Sequence, residues 1–195
     1  MRKKLIFASN NEHKLRELRE LAGDRYEIMS LNEIGCNDDI PETADTIEGN
    51  ALMKAEWIRD HYGVDCFSDD TGLEIDALGG EPGVMSARYA GPEHDSNRNV
   101  EKVLRKMTDV PRENRTARFR TIIALILNGE THTFVGCVEG EILTERHGDD
   151  GFGYDPIFRP LEADVTFAEM TPDEKNAISH RGRAVRALFQ YLDTL

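Results

Sequence analysis

The residues of this chain best suited to chemistry are Asp69 and Asp70, in the stretch FSDDTG at residues 67–72, where the apolar run VDCF meets two adjacent acids and then a glycine. A buried strand that delivers carboxylates to its exit, followed by a residue tolerant of unusual backbone angles, presents chemistry at the carboxyl edge of an α/β sheet. Neighbouring side chains leave an extended backbone on opposite faces, so only one of the two acids points squarely into a given site. Asp70, beside the expected turn, is the one assigned to catalysis. The same residue types also make ordinary polar turns, so the hexapeptide alone does not decide.

Other groups of matching chemistry lie elsewhere in the chain. Glu42, in the Pro-marked loop NDDIPETAD, offers a second carboxylate to a cation shared with Asp70. Lys54, one turn inside a helical run of Ala, Leu and Met, is placed to reach the same site. A solvated loop acid and a snorkelling surface lysine are the commoner roles for such residues. The loop SNNEHK, residues 9–14, joins an apolar run to a helical one. There, backbone N–H groups and the positive end of a helix dipole suit a phosphate, with Ser9, Asn11 and Lys14 adding a hydroxyl, an amide and a charge. Ser and Asn are equally ordinary helix caps, and the loop lacks the glycines of a Walker or dinucleotide motif.

In HGDDGFGYDPIF, residues 147–158, Gly151 and Gly153 flank Phe152. Sharp backbone turns there leave the ring available to stack on a base, with Asp155 accepting from ring N–H groups. Phe152 and Tyr154 plugging the core beneath a tight loop is the equal alternative. Lys175, His180 and Arg181 gather before the last helix, against its macrodipole, which favours an anionic or carbonyl-bearing ligand.

These groups must be positioned by the surrounding elements. KKLIFAS (3–9) reads as a buried strand, and Leu15, Leu18, Leu21 and Ala22 repeat at helical spacing before Gly23. YEIMSL (26–31) is a second strand. A capping pattern at Asp45 and Glu48 opens a long helix with Ile47, Ala51, Ala55, Ile58 and Tyr62 on one face. GGEPG and AGPEH are turns, with Arg88 and Tyr89 between them on a rim, and Asp95 caps a helix running to Met107. Residues 116–127, then Asn128-Gly129, then a run with Phe134, Gly136, Val138, Gly140 and Ile142 on alternate positions, form a β-hairpin. Thr171, Pro172 and Glu174 make a capping box, and Ala184, Val185, Leu188, Phe189 and Leu192 a closing amphipathic helix. An antiparallel hairpin in a βαβ-like chain implies an α/β fold with a mixed sheet flanked by helices, in two lobes with a cleft between them.

The length of 195 residues suits a single domain, residues 1–195. With 37 acidic against 24 basic residues, the net charge of -13 opposes binding to nucleic acid or to an anionic membrane. Cys36, Cys66 and Cys137 are widely spaced and read as reduced thiols. The basic start MRKK is followed by too short an apolar run for a signal peptide or a membrane span, so a cytoplasmic location is expected.

The separate features converge on a phosphate cradle, two carboxylates for a divalent cation, a stacking ring and a cationic cluster. Carboxylates beside phosphates point to Mg²⁺ and a nucleoside triphosphate. The blocks ASNNEHK, IPET, EGNALMKA, SDDTGLEIDALGGEPGVMSARYAG, GFGYDPIF and EKNAISHRGRA, in this order over nearly the whole chain, resemble the inosine triphosphate pyrophosphatase family. The resemblance implies an elongated central sheet, a homodimer, and Mg²⁺-dependent cleavage of ITP, dITP or XTP to the monophosphate and pyrophosphate. It also implies that Ser9, Asn10, Asn11, Lys14, Lys54, Thr71, Phe152, Gly153, Tyr154, Asp155, Lys175, His180 and Arg181 contact substrate. Glu42 and Asp70 would hold the metal, with Asp70 as the proton acceptor. Pro41 stands where many bacterial members carry an acid. A metal-dependent phosphoesterase acting on another nucleotide, or a nucleotide-binding module without catalysis, would use part of the same equipment. The acidic balance opposes a polymeric substrate, and mere binding has no need of Asp70 beside a metal.

Overall fold

A computed structural model describes residues 3–195; Met1 and Arg2, half of the basic start, lie outside the described residues. The strands are β1 (Lys3–Phe7), β2 (Tyr26–Met29), β3 (Cys66–Ile75), β4 (Thr116–Leu127), β5 (Glu130–Ile142) and β6 (Phe158–Pro160). The helices are α1 (Glu12–Ala22), α2 (Ile47–Tyr62), α3 (Ser96–Lys106), α4 (Pro172–Ile178) and α5 (His180–Leu192). The sheet has the order β2-β1-β3-β4-β5-β6. β1 runs parallel to β2 and β3, and β6 antiparallel to β5, so the sheet is mixed, as the hairpin and the βαβ-like start together require. Among the described residues no helix is long and apolar enough to cross a membrane.

The chain separates into two compact units. The first comprises the chain up to Asp70, Thr121–Gly136 and Gly182–Leu195. Its core joins Leu5 and Phe7 of β1, Leu15 and Leu18 of α1, Phe67 of β3, and Leu188 and Phe189 of α5. The second comprises Thr71–Arg120 and Cys137–Arg181. Its core joins Leu73 and Ile75, Val100 and Val103 of α3, Phe119, Val138, and the rings of Tyr154, Phe158 and Phe167. Buried Arg115 fastens that second unit by donating to the carbonyls of Met107, Val110, Ile142 and Leu143.

Several local expectations are corrected. β3 does not end at the paired acids; it runs through SDDTG to Ile75, with Gly72 inside the strand. Leu73 and Ile75 supply the reason, because both are fully buried in the second core and hold the chain extended beyond the acids. Pairing with β1 does stop at Phe7 opposite Phe67, so Asp69 and Asp70 lie just past the end of the neighbouring parallel strand. The cap of α2 is Thr46, whose hydroxyl accepts from Gly49 N at 2.9 Å, and not Asp45. β2 stops at Met29 because the Glu33 side chain takes the backbone N–H of Ser30 at 2.6 Å. Tyr89 is buried in the second core, not on a rim.

Candidate active site

In the first unit, β3 sends its two acids to different helices. Phe67 packs with Leu15 and Leu18 of α1, so Asp69, two residues on, shares their face; its Oδ1 accepts from Lys14 Nζ at 2.7 Å. Cys66 and Ser68 donate to the carbonyls of Ala55 and Ala51 in α2, so Asp70 shares that face and meets Lys54. The expectation of opposite faces therefore holds, and each acid finds a lysine from the helix on its own side.

Lys54 is buried in α2, not snorkelling at the surface. Its Nζ lies 3.1 Å from Glu42 Oε1 and 3.8 Å from Asp70 Oδ1, a hydrogen bond to the first and an ion pair too long for one to the second. Burial lowers the lysine's pKa, but Asp70, Glu42 and Asp69 outweigh it and hold the ammonium above its ordinary value. For Glu42, burial raises the carboxyl, and the charge and hydrogen bond of Lys54 more than offset this, leaving it below the usual range. Asp70 differs: burial pushes it up, and the pull of Lys54 and Lys14 does not restore it. At 3.8 Å from Lys54, the Asp70 carboxylate is not locked in a hydrogen bond to its cation and is placed to meet water.

The loop bearing Glu42 is tied down by Asn50, whose buried Oδ1 accepts from Ala44 N at 2.9 Å. Sequence reading passed over Asn50. The available signal was an amide beside Ile47, Ala51 and Ala55 on an otherwise apolar helix face. In the loop before α1, Asn11 is the helix cap, accepting from His13 N and Lys14 N, both at 3.1 Å, while Ser9 Oγ accepts from Asn11 N. Asn10 accepts from Asn32 N at 2.9 Å. These polar side chains shape the turn that presents Lys14.

The second unit holds the other group. Asp155 is 3 % exposed, and its Oδ2 accepts from Phe152 N at 2.9 Å and from Lys175 Nζ at 2.8 Å. Gly151 has φ +79°, and a Cβ there would strike that same carboxylate, which explains one of the two glycines. Phe152 is not a bare ring: it is half-buried, with Lys175 Nζ 4.8 Å and the Arg181 guanidinium carbon 5.6 Å from its centroid. Arg181 Nη2 donates to Thr71 Oγ1 at 3.3 Å. His180 stacks on Phe119 with centroids 4.6 Å apart. Gly153 keeps a positive φ of 63° in the loop. Tyr154 belongs to the core, its hydroxyl donating to Ser86 O at 2.7 Å. Lys175 lies in α4, and only His180 and Arg181 open α5.

Glu42 and Asp70 are hard oxygen donors brought to one ammonium, so they fit a divalent cation of the Mg²⁺ type. Among the described residues no group of three or more His, Cys, Asp or Glu is gathered to hold a metal. Two protein carboxylates, with water and phosphate oxygens completing the shell, is the usual Mg²⁺ arrangement.

Fold and side chains define an α/β protein whose mixed sheet carries paired acids, each matched by a helix-borne lysine. The chain belongs to the Ham1 family, whose model matches residues 5–191. It is 53% identical over 189 residues to the dITP/XTP pyrophosphatase of Christiangramia forsetii, covering 97% of this chain and 98% of that one. To the dITP/XTP pyrophosphatase of Bacillus subtilis it is 48% identical over 193 residues, covering 98% of each. Its fold matches a HAM1 protein from Coxiella burnetii with a TM-score of 0.90 at 38% identity, covering 99% of this chain and 100% of that one.

Proposed function

We propose that this chain hydrolyses deaminated purine nucleoside triphosphates, such as ITP, dITP and XTP, to the monophosphate and pyrophosphate, clearing them from the nucleotide pool. The observation that carries the reading is the Asp69-Asp70 pair on one strand, each acid facing its own lysine, in a chain of this family. Lys14 and Lys54 meet the phosphates. Asp70 takes a proton from water as its oxygen bonds to phosphorus, the linkage between the α- and β-phosphates breaks, and pyrophosphate leaves. Glu42 and Asp70 would hold Mg²⁺, which would supply neutralisation of the phosphate charge.

Base selection falls to the second group. Phe152 offers a ring for stacking, and donors from His180 and Arg181 suit a 6-keto oxygen but not the 6-amino group of adenine. An unpaired buried donor costs roughly 1 to 3 kcal/mol, so two such contacts separate ITP from ATP by about two decades or more. Homodimerisation is supported by the family resemblance, and a cytoplasmic location by the three widely spaced cysteines, which are free thiols.

The test is pyrophosphate release from ITP, dITP, XTP, GTP and ATP with Mg²⁺, by the wild-type chain and Asp70→Asn. Release from the first three that is lost in the variant supports the reading. Equal cleavage of ATP and ITP removes the base-reading roles, and full activity in the variant removes Asp70 from catalysis.

A further inference from the structure

Asp69 is 1 % exposed and accepts from Lys14 Nζ at 2.7 Å, while the Lys14 side chain keeps 14 % of its surface accessible. The carboxylate is therefore sealed and the ammonium is not. Asp70, on the other face of β3, is 9 % exposed and lies 3.8 Å from its lysine. Two adjacent acids thus have different situations, one closed on a cation and one open enough to meet a ligand.

We propose that Asp69 is a positioning residue for Lys14, holding its ammonium ready for the substrate's phosphates, and takes no part in activating water. A lysine is among the residues with most side-chain entropy to lose on ordering. A charge-assisted bond from a buried carboxylate removes that freedom before substrate arrives. An ammonium has three donors, so holding Asp69 is compatible with donating to a phosphate oxygen as well. Asn11 acts on the same residue from the other end, because its side chain accepts from Lys14 N and fixes the helix turn from which the lysine extends.

The inference rests on the triphosphate reading above. It is tested by steady-state pyrophosphate release from dITP with Mg²⁺, for wild type, Asp69→Asn, Lys14→Gln and the double variant, alongside thermal melts. Asp69→Asn is expected to raise KM about tenfold with kcat within about threefold, and the double variant to match Lys14→Gln alone, because Asp69 acts through Lys14. A merely structural role gives no such non-additivity. A kcat collapse in Asp69→Asn at unchanged KM, or effects that multiply in the double variant, overturns the proposal. Should Asp69→Asn not fold, Asp69→Ser takes its place, and failure of both to fold assigns Asp69 to stability and also overturns it. If the wild-type chain itself releases no pyrophosphate from dITP, the triphosphate reading fails, which the wild-type arm alone distinguishes.

Discussion

Lys54 Nζ donates to Glu42 Oε1 at 3.1 Å, joining a loop acid to the middle of α2. The ammonium also offsets Asp70, so a neutral residue at this position leaves two acids without their shared cation. Lys54→Met is expected to abolish most pyrophosphate release and to cost about 2 kcal/mol in urea denaturation at pH 8. This lies below the 3–5 kcal/mol of a fully buried pair because Glu42 is partly exposed. Glu42 sits below its ordinary pKa when folded, so the pair's contribution is present above that ordinary value and lost as pH falls through the folded one. The stability gap between wild type and Lys54→Met therefore narrows as the buffer is taken below about pH 4.

Asn50 restrains Glu42 only through the backbone at Ala44. Asn50→Ala leaves that N–H without its acceptor and is expected to destabilise the fold by about 1 to 2 kcal/mol. If Glu42 holds Mg²⁺ as proposed, the Mg²⁺ concentration for half-maximal activity is expected to rise as the loop loosens, with saturating Mg²⁺ restoring most of kcat. Titrating Mg²⁺ into both proteins at fixed dITP measures this directly.

Asp155 joins Lys175 and the Phe152 backbone in the second unit. Asp155→Asn takes the carboxylate away from the buried Lys175 ammonium, for an expected loss of roughly 3 kcal/mol by chemical denaturation. The ring of Phe152 loses its tether in the same variant. KM for dITP rises more than kcat falls, which full kinetic curves resolve.

Tyr26 donates to Asp193 Oδ1 at 2.6 Å, and burial together with that hydrogen bond pushes its hydroxyl up to about 12. The unfolded chain ionises near 10, so this contribution to stability is complete below pH 10 and disappears as pH rises toward 12. Cys66, pushed up to about 12 by burial, weakens the fold over an overlapping range. The difference between wild type and Tyr26→Phe, followed by urea denaturation at pH 9 and pH 11, isolates the tyrosine: wild type keeps clearly less of its advantage at the higher pH.

The local elements were largely legible in the sequence because their signals are short-range. Asn128 and Gly129 both take the positive φ that a two-residue hairpin needs, and Thr171, Pro172 and Glu174 form the capping box their order specifies. The opposite facing of Asp69 and Asp70 follows from strand periodicity alone. What was hidden depends on residues far apart in the chain. The continuation of β3 through Gly72 is decided by packing around Leu73 and Ile75, which no turn signal at SDDTG reveals. Burial of Lys54 depends on two acids, one 12 positions earlier and one on another element. The Asp155–Lys175 pair spans 20 positions, and its closure around Phe152 could not be read from the loop.

The straight passage of β3 through the paired acids constrains how this segment can vary. Adding or deleting one residue between Phe67 and Asp69 would exchange the faces of everything that follows in the strand. Asp70 would then look toward α1 and Asp69 toward α2, and Leu73 and Ile75 would turn away from their core. Substitution at single positions leaves that alternation intact, whereas a change of length by one does not. The stretch can therefore accept new side chains over evolutionary time far more readily than a new length, and a neighbouring pair of acids is a compact way to keep two jobs in step on one ribbon.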